Sequence, residues 1–542
     1  MQRVIKKLFV WVRYSTWITY TPSRTGRRFS LHAPGRGYNE GLLSCKDTMM
    51  PTVRSSSQDS SPNRPNILVI MSDQHNARYM GCAGDGVART PAIDALAARG
   101  ARFTAAYTPS PLCVPARMSF LTSRFPTDQQ VWTNSCILDS NIPSFAHALG
   151  AAGYRTALAG RMHFYGHDQF HGFAERLVGD VSSAFPGTPG IDLGSIAKTA
   201  VGQTRPAVTV AGPGYTAYQE YDRQVAGAAA EYLNRPHDQP FCLVAGFWQP
   251  HCPFICPPDL FGYYHERVTM PAIPEGYFDT VHPFIRQWRE HRGLTDLTPE
   301  EIRTARAGYY GMIELLDRNI ATVLDGLARS GHDRDTLVIY TSDHGDMAGE
   351  HGLWWKSIFY EGSAGVPLIA AGPGVTARGT VSAVANLMDL GPTFIDLAGA
   401  AALPAARGRS LRGFLDGQGV ADWPDETVSE IHSLHGDPPG RMIRSGPWKL
   451  NHYHKHAEPQ LFNLVEDPGE WNDRAADPGC QGIRDRLMAR VREGWNADRM
   501  ERSIAAVMRD IPPIAAWGRA VRPESPHVWQ APEGANRFPA ED

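Results

Sequence analysis

Short apolar runs and segments of helical periodicity alternate along most of the chain. The apolar runs lie at residues 66–71, 156–159, 241–247, 336–341 and 366–371. Runs without polar alternation are typical of strands buried on both faces of a parallel sheet. Apolar residues recur at helical spacing in residues 90–97, 143–152, 217–233, 300–329 and 386–398. The alternation predicts an α/β fold with a large, mostly parallel sheet flanked by helices over residues 62–400.

The pattern changes after about residue 400. Strand-like pieces joined by Gly-Pro turns lie at residues 441–444, 448–451 and 460–464. A helical segment follows them at about residues 482–496. This order predicts a smaller α+β domain over 401–510. The Pro-rich residues 511–542 show little periodicity, so we expect an extended tail that wraps over its own or a neighbouring subunit.

The first 61 residues differ from the rest in composition. They are rich in Arg, Lys, Ser and Pro and contain no acidic residue before Glu40. Their apolar stretch, Leu8 to Val12, is too short for the core of a signal peptide, which favours a cytoplasmic location. We expect residues 1–61 to be a disordered extension. A transit peptide and a true start at Met49 or Met50 stay open.

The composition excludes several classes of function. The 542 residues are 42% apolar and 20% charged, with a net charge of -3. This balance gives no reason to expect nucleic acid as a partner. No apolar stretch approaches the roughly 20 residues of a membrane helix, so we expect no membrane partner. The eight cysteines show no CxxC spacing typical of zinc or redox sites.

Polar clusters follow four of the predicted strands. They are Asp73-Gln74, Arg161-Met162-His163, Gln249-Pro250-His251 and Asp343-His344. In open α/β sheets, ligands bind where the strands end and the loops begin. A single strand-end acid or histidine is common without function, but four clusters in register predict one shared site.

A fifth cluster carries the most specific pattern. Residues 113–117 read Cys-Val-Pro-Ala-Arg, and residues 119–122 continue as Ser-Phe-Leu-Thr. The stretch resembles the signature of type I sulfatases of the alkaline-phosphatase-like superfamily, in which Cys-x-Pro-x-Arg directs oxidation of the cysteine to formylglycine. Ser123 departs from the pattern, since the family usually has glycine there. The resemblance implies a formylglycine-generating maturation enzyme as a partner, with Cys113 converted to 3-oxoalanine.

The resemblance covers roughly residues 62–475. It continues in three further blocks and one lysine, namely Gly160–Phe164, Gln249–Phe254, Thr341–Asp346 and Lys356. Arg161 stands where the family has lysine; it keeps the positive charge but is a larger, planar donor.

The resemblance implies that the protein hydrolyses a sulfate ester at one divalent metal. The catalytic residues that it implies are Cys113, Arg117, Arg161, His163, His251 and Lys356. The metal ligands that it implies are Asp73, Gln74, Cys113, Asp343 and His344. An anionic ester does need a hard cation held by oxygen ligands, with cationic donors around the sulfuryl oxygens. By resemblance Ca²⁺ is the first choice and Mn²⁺ the second, and His344 favours a transition metal.

The hydrate of formylglycine explains why a cysteine would be oxidised. One of its two hydroxyl groups attacks sulfur, and the other, once deprotonated, expels sulfate by re-forming the aldehyde. We expect Arg117 to stabilise the hydrate. His251 and Lys356 would bind the sulfate oxygens and protonate the leaving oxygen, and the sequence does not divide these two tasks between them.

The substrate on this hypothesis is a small alkyl, choline-like or aryl sulfate. Residues 143–172 and 343–354 look closest to the choline-sulfatase-like branch. Four aromatic residues would form a face for a quaternary ammonium or line an aryl pocket, namely Trp132, Tyr165, Trp354 and Trp355. Asn134 is a further expected substrate contact.

Two other functions stay open at this point. A phosphonate monoester hydrolase or phosphodiesterase of the same superfamily shares the Asp-Gln and Asp-His pairs. An unmodified relative that only binds anions is the non-enzymatic alternative. The sequence also leaves open whether the protein forms a homo-oligomer.

Overall fold

The computed structural model describes residues 64–191, 200–432 and 436–538, together with the backbone of three strands nearer the N-terminus. The chain divides into two compact units, Met1–Pro62 and Asn63–Asp542. In the first unit an antiparallel sheet has the order β1 (Trp11–Val12), β2 (Thr16–Ser23) and β3 (Gly26–His32). The sequence did not predict these strands, and the rest of the predicted disordered extension, residues 1–61, lies outside the described residues.

The second unit spans the residues of both predicted domains, whose boundary stays a prediction. Its strands are β4 (Asn66–Asp73), β5 (Ala101–Phe103), β6 (Ala106–Tyr107), β7 (Arg155–Gly160), β8 (Glu175–Val178), β9 (Gly212–Pro213), β10 (Phe241–Pro250), β11 (Ile255–Cys256), β12 (Thr336–Ser342), β13 (Leu368–Ala371), β14 (Gly379–Val381), β15 (Ala385–Asn386), β16 (Glu426–Ile431), β17 (Gly440–Ser445), β18 (Trp448–Tyr453) and β19 (Gln460–Asn463).

The main sheet has eight strands in the order β14-β5-β13-β12-β4-β10-β7-β8. The neighbours from β12 to β8 are all parallel, with Val69 of β4 opposite Val244 and Ile339. The predicted mostly parallel sheet is therefore confirmed. β13 runs antiparallel to both of its neighbours, which an apolar run cannot reveal because it reports burial and not direction.

Helices cover both faces of this sheet. The helices are α1 (Pro91–Ala98), α2 (Cys113–Thr122), α3 (Pro126–Gln129), α4 (Phe145–Ala151), α5 (Pro206–Thr209), α6 (Ala217–Leu233), α7 (Pro258–His265), α8 (Tyr277–Thr280), α9 (Pro283–His291), α10 (Pro299–Ser330), α11 (Glu361–Ala364), α12 (Leu390–Ala398), α13 (Arg412–Leu415), α14 (Gln481–Arg492) and α15 (Ala497–Val521). Among the described helices, none combines the length and apolar character of a membrane-spanning segment.

Alternate residues of the central strands pack against different helices. Leu68 and Ile70 of β4 lie in a cluster with α6 and α10, which holds Val225 and Leu316. On the opposite face, Val69 belongs to a cluster that includes apolar residues of α2, α4 and α12. Each buried side chain of this size contributes about 1.5–3 kcal/mol, so the two clusters fix the strands that carry the site.

The smaller domain is an antiparallel sheet of four strands, β16-β17-β18-β19, covered by α14. Ile443, Leu450 and Leu461 of the sheet pack against Leu487 and Val491 of the helix. This arrangement confirms the predicted smaller α+β domain.

The C-terminal tail differs from the predicted extended segment. α15 continues through Pro512 and Pro513 as far as Val521, and only the following residues are extended. The prolines give this segment little periodicity, so the sequence did not indicate that a helix continues through residues 511–521. Beyond the helix, Val528 forms a bridge with Asp180, so this part of the tail packs on its own subunit.

Candidate active site

Two neighbouring parallel strands bring two carboxylates together. Asp73 ends β4, and Asp343 directly follows β12. Ser72 of β4 and Ser342 of β12 lie side by side. Both carboxylates are completely buried. The amide of Gln74 donates to Asp343 Oδ1 at 3.1 Å, which holds the two strand ends in register.

Cys113 is the first residue of α2, so its thiol lies where the free N–H groups of the helix face the sheet edge. Its side chain is buried, with 1% exposure. The amide of Val114 donates to Asn134 Oδ1 at 3.0 Å, which places Asn134 beside the start of α2. The helix therefore presents Cys113 to the two carboxylates.

Four side chains form what we call the ligand cluster: Asp73, Cys113, Asp343 and His344. One ligand atom from each lies within 4.8 Å of the others. His344 Nε2 is 3.2 Å from Cys113 Sγ and 3.6 Å from Asp343 Oδ1. Its Nδ1 lies 3.0 Å from the carbonyl of Gly345, which can only accept, so Nδ1 carries the proton and Nε2 faces the cluster.

Arg117 lies against both carboxylates. Its Nε donates to Asp343 Oδ2 at 2.8 Å and one terminal nitrogen donates to Asp73 Oδ2 at 3.1 Å. Arg117 is four residues after Cys113, so both project from one face of α2. Arg117 thus holds the two carboxylates, and its expected role in stabilising the hydrate at residue 113 stays a prediction.

Arg161 also binds Asp73, through Nε at 2.6 Å. Its other nitrogens donate to Ser182 Oγ at 2.8 Å and lie 2.9 Å from His163 Nδ1. The guanidinium lies 4.4 Å above the ring of Trp248. The planar group thus makes several contacts at once, which a lysine in the same place could not make.

Lys356 and His251 complete the surroundings of Cys113. The Lys356 ammonium donates to Cys113 Sγ at 3.4 Å and also to Gln74 Oε1. His251 Nδ1 lies 2.8 Å from the carbonyl of Cys252, which leaves Nε2 free for residue 113. Together with His163, all the predicted catalytic side chains therefore lie around one point.

Charge around the thiol offsets the effect of burial. Burial raises the pKa of Cys113, but the cations of Lys356 and His344 and hydrogen bonds from His163 and His251 bring that pKa well below its usual value. Burial and Lys356 both lower the pKa of His251. The site is thus arranged to hold negative charge at residue 113.

Gln74, predicted as a metal ligand, makes hydrogen bonds with two other side chains. Its side chain lies between Lys356 and Asp346, and its backbone is left-handed with φ 73°. Since the described contacts of its amide are with these two residues, its role as a ligand stays a prediction.

Two acidic residues that position the site were missed by the sequence analysis. Asp346 accepts from the amides of Ala348 and Trp355 and from the side chain of Gln74. Asp180 accepts from the His163 amide at 2.7 Å and lies 3.4 Å from Arg161. Asp180 lies just after the end of β8. The rule that ligands bind at strand ends could have identified it, but this strand is only weakly apolar and was not predicted.

The predicted aromatic residues do not form a single face. Trp354 is 1% exposed and packs on Phe254, and Trp355 is fully buried near Trp288. Trp132 belongs to a different apolar cluster, and no ring contact among the described residues joins it or the half-buried Tyr165 to Trp354. Trp354 and Trp355 thus pack against other aromatic rings, and their role in binding substrate stays a prediction.

Comparisons with known proteins agree with this geometry. The family model Sulfatase matches residues 65–400, and the model N-sulphoglucosamine sulphohydrolase, C-terminal, matches residues 349–496. A choline-sulfatase of Rhizobium meliloti is 36% identical, over 77% of this chain and 83% of that protein. Arylsulfatase K of Bos taurus is 31% identical, over 77% of this chain and 79% of that protein.

Solved structures show the same fold. A putative sulfatase from Bacteroides thetaiotaomicron has a TM-score of 0.65 at 26% identity and covers 81% of this chain and 93% of its own. A phosphonate monoester hydrolase from Silicibacter pomeroyi has a TM-score of 0.64 at 26% identity, over 79% of this chain and 94% of its own. From its family match and its relatives, the chain belongs to the sulfatase family and is a sulfuric ester hydrolase.

Proposed function

We propose that the chain hydrolyses a small organic sulfate ester through formylglycine at position 113 and one divalent cation. The observation that carries this proposal is the ligand cluster, in which the residue to be oxidised lies among two carboxylates and a histidine. Lys356 contributes a cation beside the same residue. This is the charge pattern that an anionic ester undergoing hydrolysis requires.

The donor set suits a divalent cation. Asp73 and Asp343 offer carboxylate oxygens, and His344 offers Nε2 because its Nδ1 is bonded to a carbonyl. Mostly oxygen donors favour Ca²⁺, and the imidazole leaves Mn²⁺ as the second choice. When bound, the cation would withdraw electron density from the sulfuryl oxygens. Arg117 and Arg161 keep Asp73 in the ionised form that such a cation needs.

Residue 113 would act as the nucleophile after its oxidation. A formylglycine hydrate supplies one hydroxyl for attack on sulfur and a second whose deprotonation releases sulfate. The proposal needs a maturation enzyme, which recognises the segment that begins at Cys113. The buried start of α2 implies that this oxidation precedes folding of the segment.

Lys356 and His251 would divide two tasks. Lys356 is anchored by Gln74 and would hold a sulfuryl oxygen next to residue 113. His251 has its Nδ1 proton engaged with the Cys252 carbonyl, so its Nε2 would exchange protons with the reacting groups. His163, held by Asp180 through its backbone, would contact residue 113 from the other side.

The alcohol part of the ester is small on this proposal, whether alkyl, choline-like or aryl. The similarity to a choline-sulfatase and to arylsulfatase K supports this range. A phosphonate monoester hydrolase remains the second candidate, because a hydrolase of that name shares the fold at 26% identity. Because the chain belongs to a family of ester hydrolases, we do not retain the alternative of an unmodified relative that only binds anions.

Co-expression with a formylglycine-generating enzyme tests the proposal. Mass spectrometry of the tryptic peptide containing residue 113 should show loss of the thiol, and the product should hydrolyse 4-nitrophenyl sulfate in Ca²⁺. An oxidised protein that cleaves 4-nitrophenyl phenylphosphonate faster than the sulfate would favour the second candidate. Full activity in Cys113→Ala would reject residue 113 as the nucleophile.

A further inference from the structure

Arg306 is a buried cation whose hydrogen-bonding groups are only partly used. It lies on α10 and is 4% exposed. Its Nη1 donates to the hydroxyl of Tyr79 and to the carbonyl of Ala348, which are both neutral acceptors. Its Nε has no hydrogen-bond partner among the described residues. Buried arginines are normally paired with an anion, so the free side of this guanidinium needs an explanation.

Arg306 lines a cavity of about 230 Å³. The rest of the wall comes from Arg78, from the loop at 269–272, from residues 350 and 351, and from residues 469 and 471 of the smaller domain. This lining includes none of the predicted catalytic residues or metal ligands among the described residues. Thr269 and Ala272 are exposed, so the cavity opens to solvent beside them, and the buried Arg306 lies at its floor.

The charges in the wall leave one positive charge without a partner. Arg78 pairs with Glu350 at 3.0 Å, and Glu350 also accepts from the Tyr79 hydroxyl at 3.0 Å. Burial lowers the pKa of His351 to about 3, so this ring is neutral at pH 7. Two arginines and one glutamate in the wall give a net charge of +1. A single negative charge on a ligand would balance it.

The free side of Arg306 matches a carboxylate in shape. The described hydrogen bonds of its guanidinium use Nη1, which leaves the edge formed by Nε and Nη2. The N–H groups along one edge of a guanidinium are parallel and suit the two oxygens of a carboxylate. Met270, Pro271 and Trp471 add apolar surface to the same cavity. A ligand with an acidic end and an apolar body would use both features.

We propose that this cavity binds the carboxylate of a small organic acid, with the acid on Arg306 and its apolar body against Met270 and Trp471. A dianion such as inorganic sulfate would exceed the single positive charge and leave the apolar wall unused. The site is therefore distinct in its chemistry from the anion site around Cys113. The proposal is independent of the proposed function, because it needs neither oxidation of residue 113 nor hydrolysis of an ester.

Calorimetric titration of the full-length, unmodified protein with sodium benzoate tests this proposal, and benzamide is the neutral compound of the same shape. We expect benzoate to bind at one site, and benzamide to bind at least about tenfold more weakly because it lacks the charge. Acetate should also bind at least about tenfold more weakly, because it has no ring to cover the apolar wall.

Arg306→Met should weaken the binding of benzoate by about ten- to a hundredfold, since it removes the charged donor. Arg306→Lys keeps the charge without the parallel donors and should lie between this variant and the wild type. Arg318→Met is the matched control with the wild-type affinity, because Arg318 lies on the same helix and pairs with Glu314 away from the cavity.

Equal affinities for benzoate and benzamide would overturn the proposal, and so would wild-type affinity for benzoate in Arg306→Met. Lys356→Met separates the cavity from the active site, because Lys356 is the cation beside Cys113. We expect this variant to bind benzoate as the wild type does, whereas loss of binding would place the carboxylate in the active site and reject the proposal. Thermal unfolding checks that each variant folds. If Arg306→Met does not, the comparison of the two compounds on the wild type and on Arg306→Lys decides.

Discussion

The ammonium of Lys356 lies 3.4 Å from the sulfur of Cys113, although the two residues are 243 positions apart in the sequence. Both side chains are buried. The loop that carries the lysine is strained, with left-handed backbone at Trp355 (φ 62°) and Ser357 (φ 70°). Strain of this kind is retained where the surrounding structure fixes a side chain for function, so the lysine is held in place before substrate arrives.

Lys356→Met should lower kcat/KM for 4-nitrophenyl sulfate by about a hundred- to a thousandfold, the usual effect of removing one charged donor from an anion site. Methionine keeps the length and the apolar stem, so the protein should remain folded. Lys455→Met is the control, because that lysine pairs with Glu501 on the exposed surface. A loss below about threefold, with unchanged stability, would contradict the role of Lys356 in binding the sulfuryl group.

Unmodified, metal-free protein should contain a Cys113 thiolate at neutral pH. Lys356 and His344 outweigh burial and bring the thiol pKa well below its usual value. A depressed folded-state pKa adds stability that is present above the unfolded-state pKa and is lost as the pH falls through the folded-state value. The measurement is the thiolate absorbance near 240 nm relative to Cys113→Ser. Cys242, whose pKa burial raises to about 12, should stay protonated, and a Cys113 signal that appears only above about pH 9 would contradict the prediction.

Removal of the cation should abolish activity and lower the melting temperature. The ligand cluster places two carboxylates together, and without a cation their repulsion is offset by the nearby arginine, histidine and lysine side chains. Asp343→Asn should lower kcat/KM by about a thousandfold and weaken the Ca²⁺-dependent rise in Tm. Asp325→Asn, at an exposed position of α10 outside the ligand cluster, is the control. Activity that survives both chelation and Asp343→Asn would exclude a metal-dependent mechanism.

Asp222 should make the protein less stable as the pH rises from about 4 to about 7. It accepts from the amides of Trp248 and Gln249 just before His251, and burial raises its pKa to about 7. A carboxyl with a raised folded-state pKa favours the protonated form in the folded protein, so its contribution to stability falls as the pH rises through that range. Urea unfolding of Asp222→Asn should lack this trend. Parallel curves for the two proteins would show that Asp222 titrates normally.

The ligand cluster was predictable because carboxyl ends of parallel strands meet at one edge. Asp73 and Asp343 follow apolar runs that proved to be adjacent strands. The direction of β13 was not predictable, since its burial pattern is the same in either direction. Asp346 was also missed as a positioning residue, because its partners are backbone amides of a loop whose conformation no periodicity encodes.

Aromatic residues were the least predictable part of the site. Trp354 lies two residues before Lys356, yet it packs against Phe254 in the core. Sequence patterns identify strand ends well, but whether a ring turns inward or toward a ligand depends on packing between distant segments.

Arg161→Lys restores the lysine that stands at this position in most of the family, and it should still weaken the enzyme. The guanidinium binds Asp73 and Ser182 and lies beside His163 and over Trp248. An ammonium keeps the charge but reaches only part of this set, so Asp73 and His163 would be held less firmly. We expect a roughly tenfold loss in kcat/KM and a lower Tm, as for other residues that orient metal ligands.

The control for Arg161→Lys is Arg155→Lys. Arg155 begins β7, at the end of the strand away from the site, and forms a surface ion pair with Glu175. Such exposed pairs contribute about 0–1 kcal/mol, so this variant should resemble the wild type in both measurements. If Arg161→Lys also matched the wild type, the contacts with Ser182 and His163 would be dispensable, and charge alone would account for the residue. If it lost activity at unchanged Tm, the arginine would act by orienting His163 and Asp73 rather than by stabilising the fold.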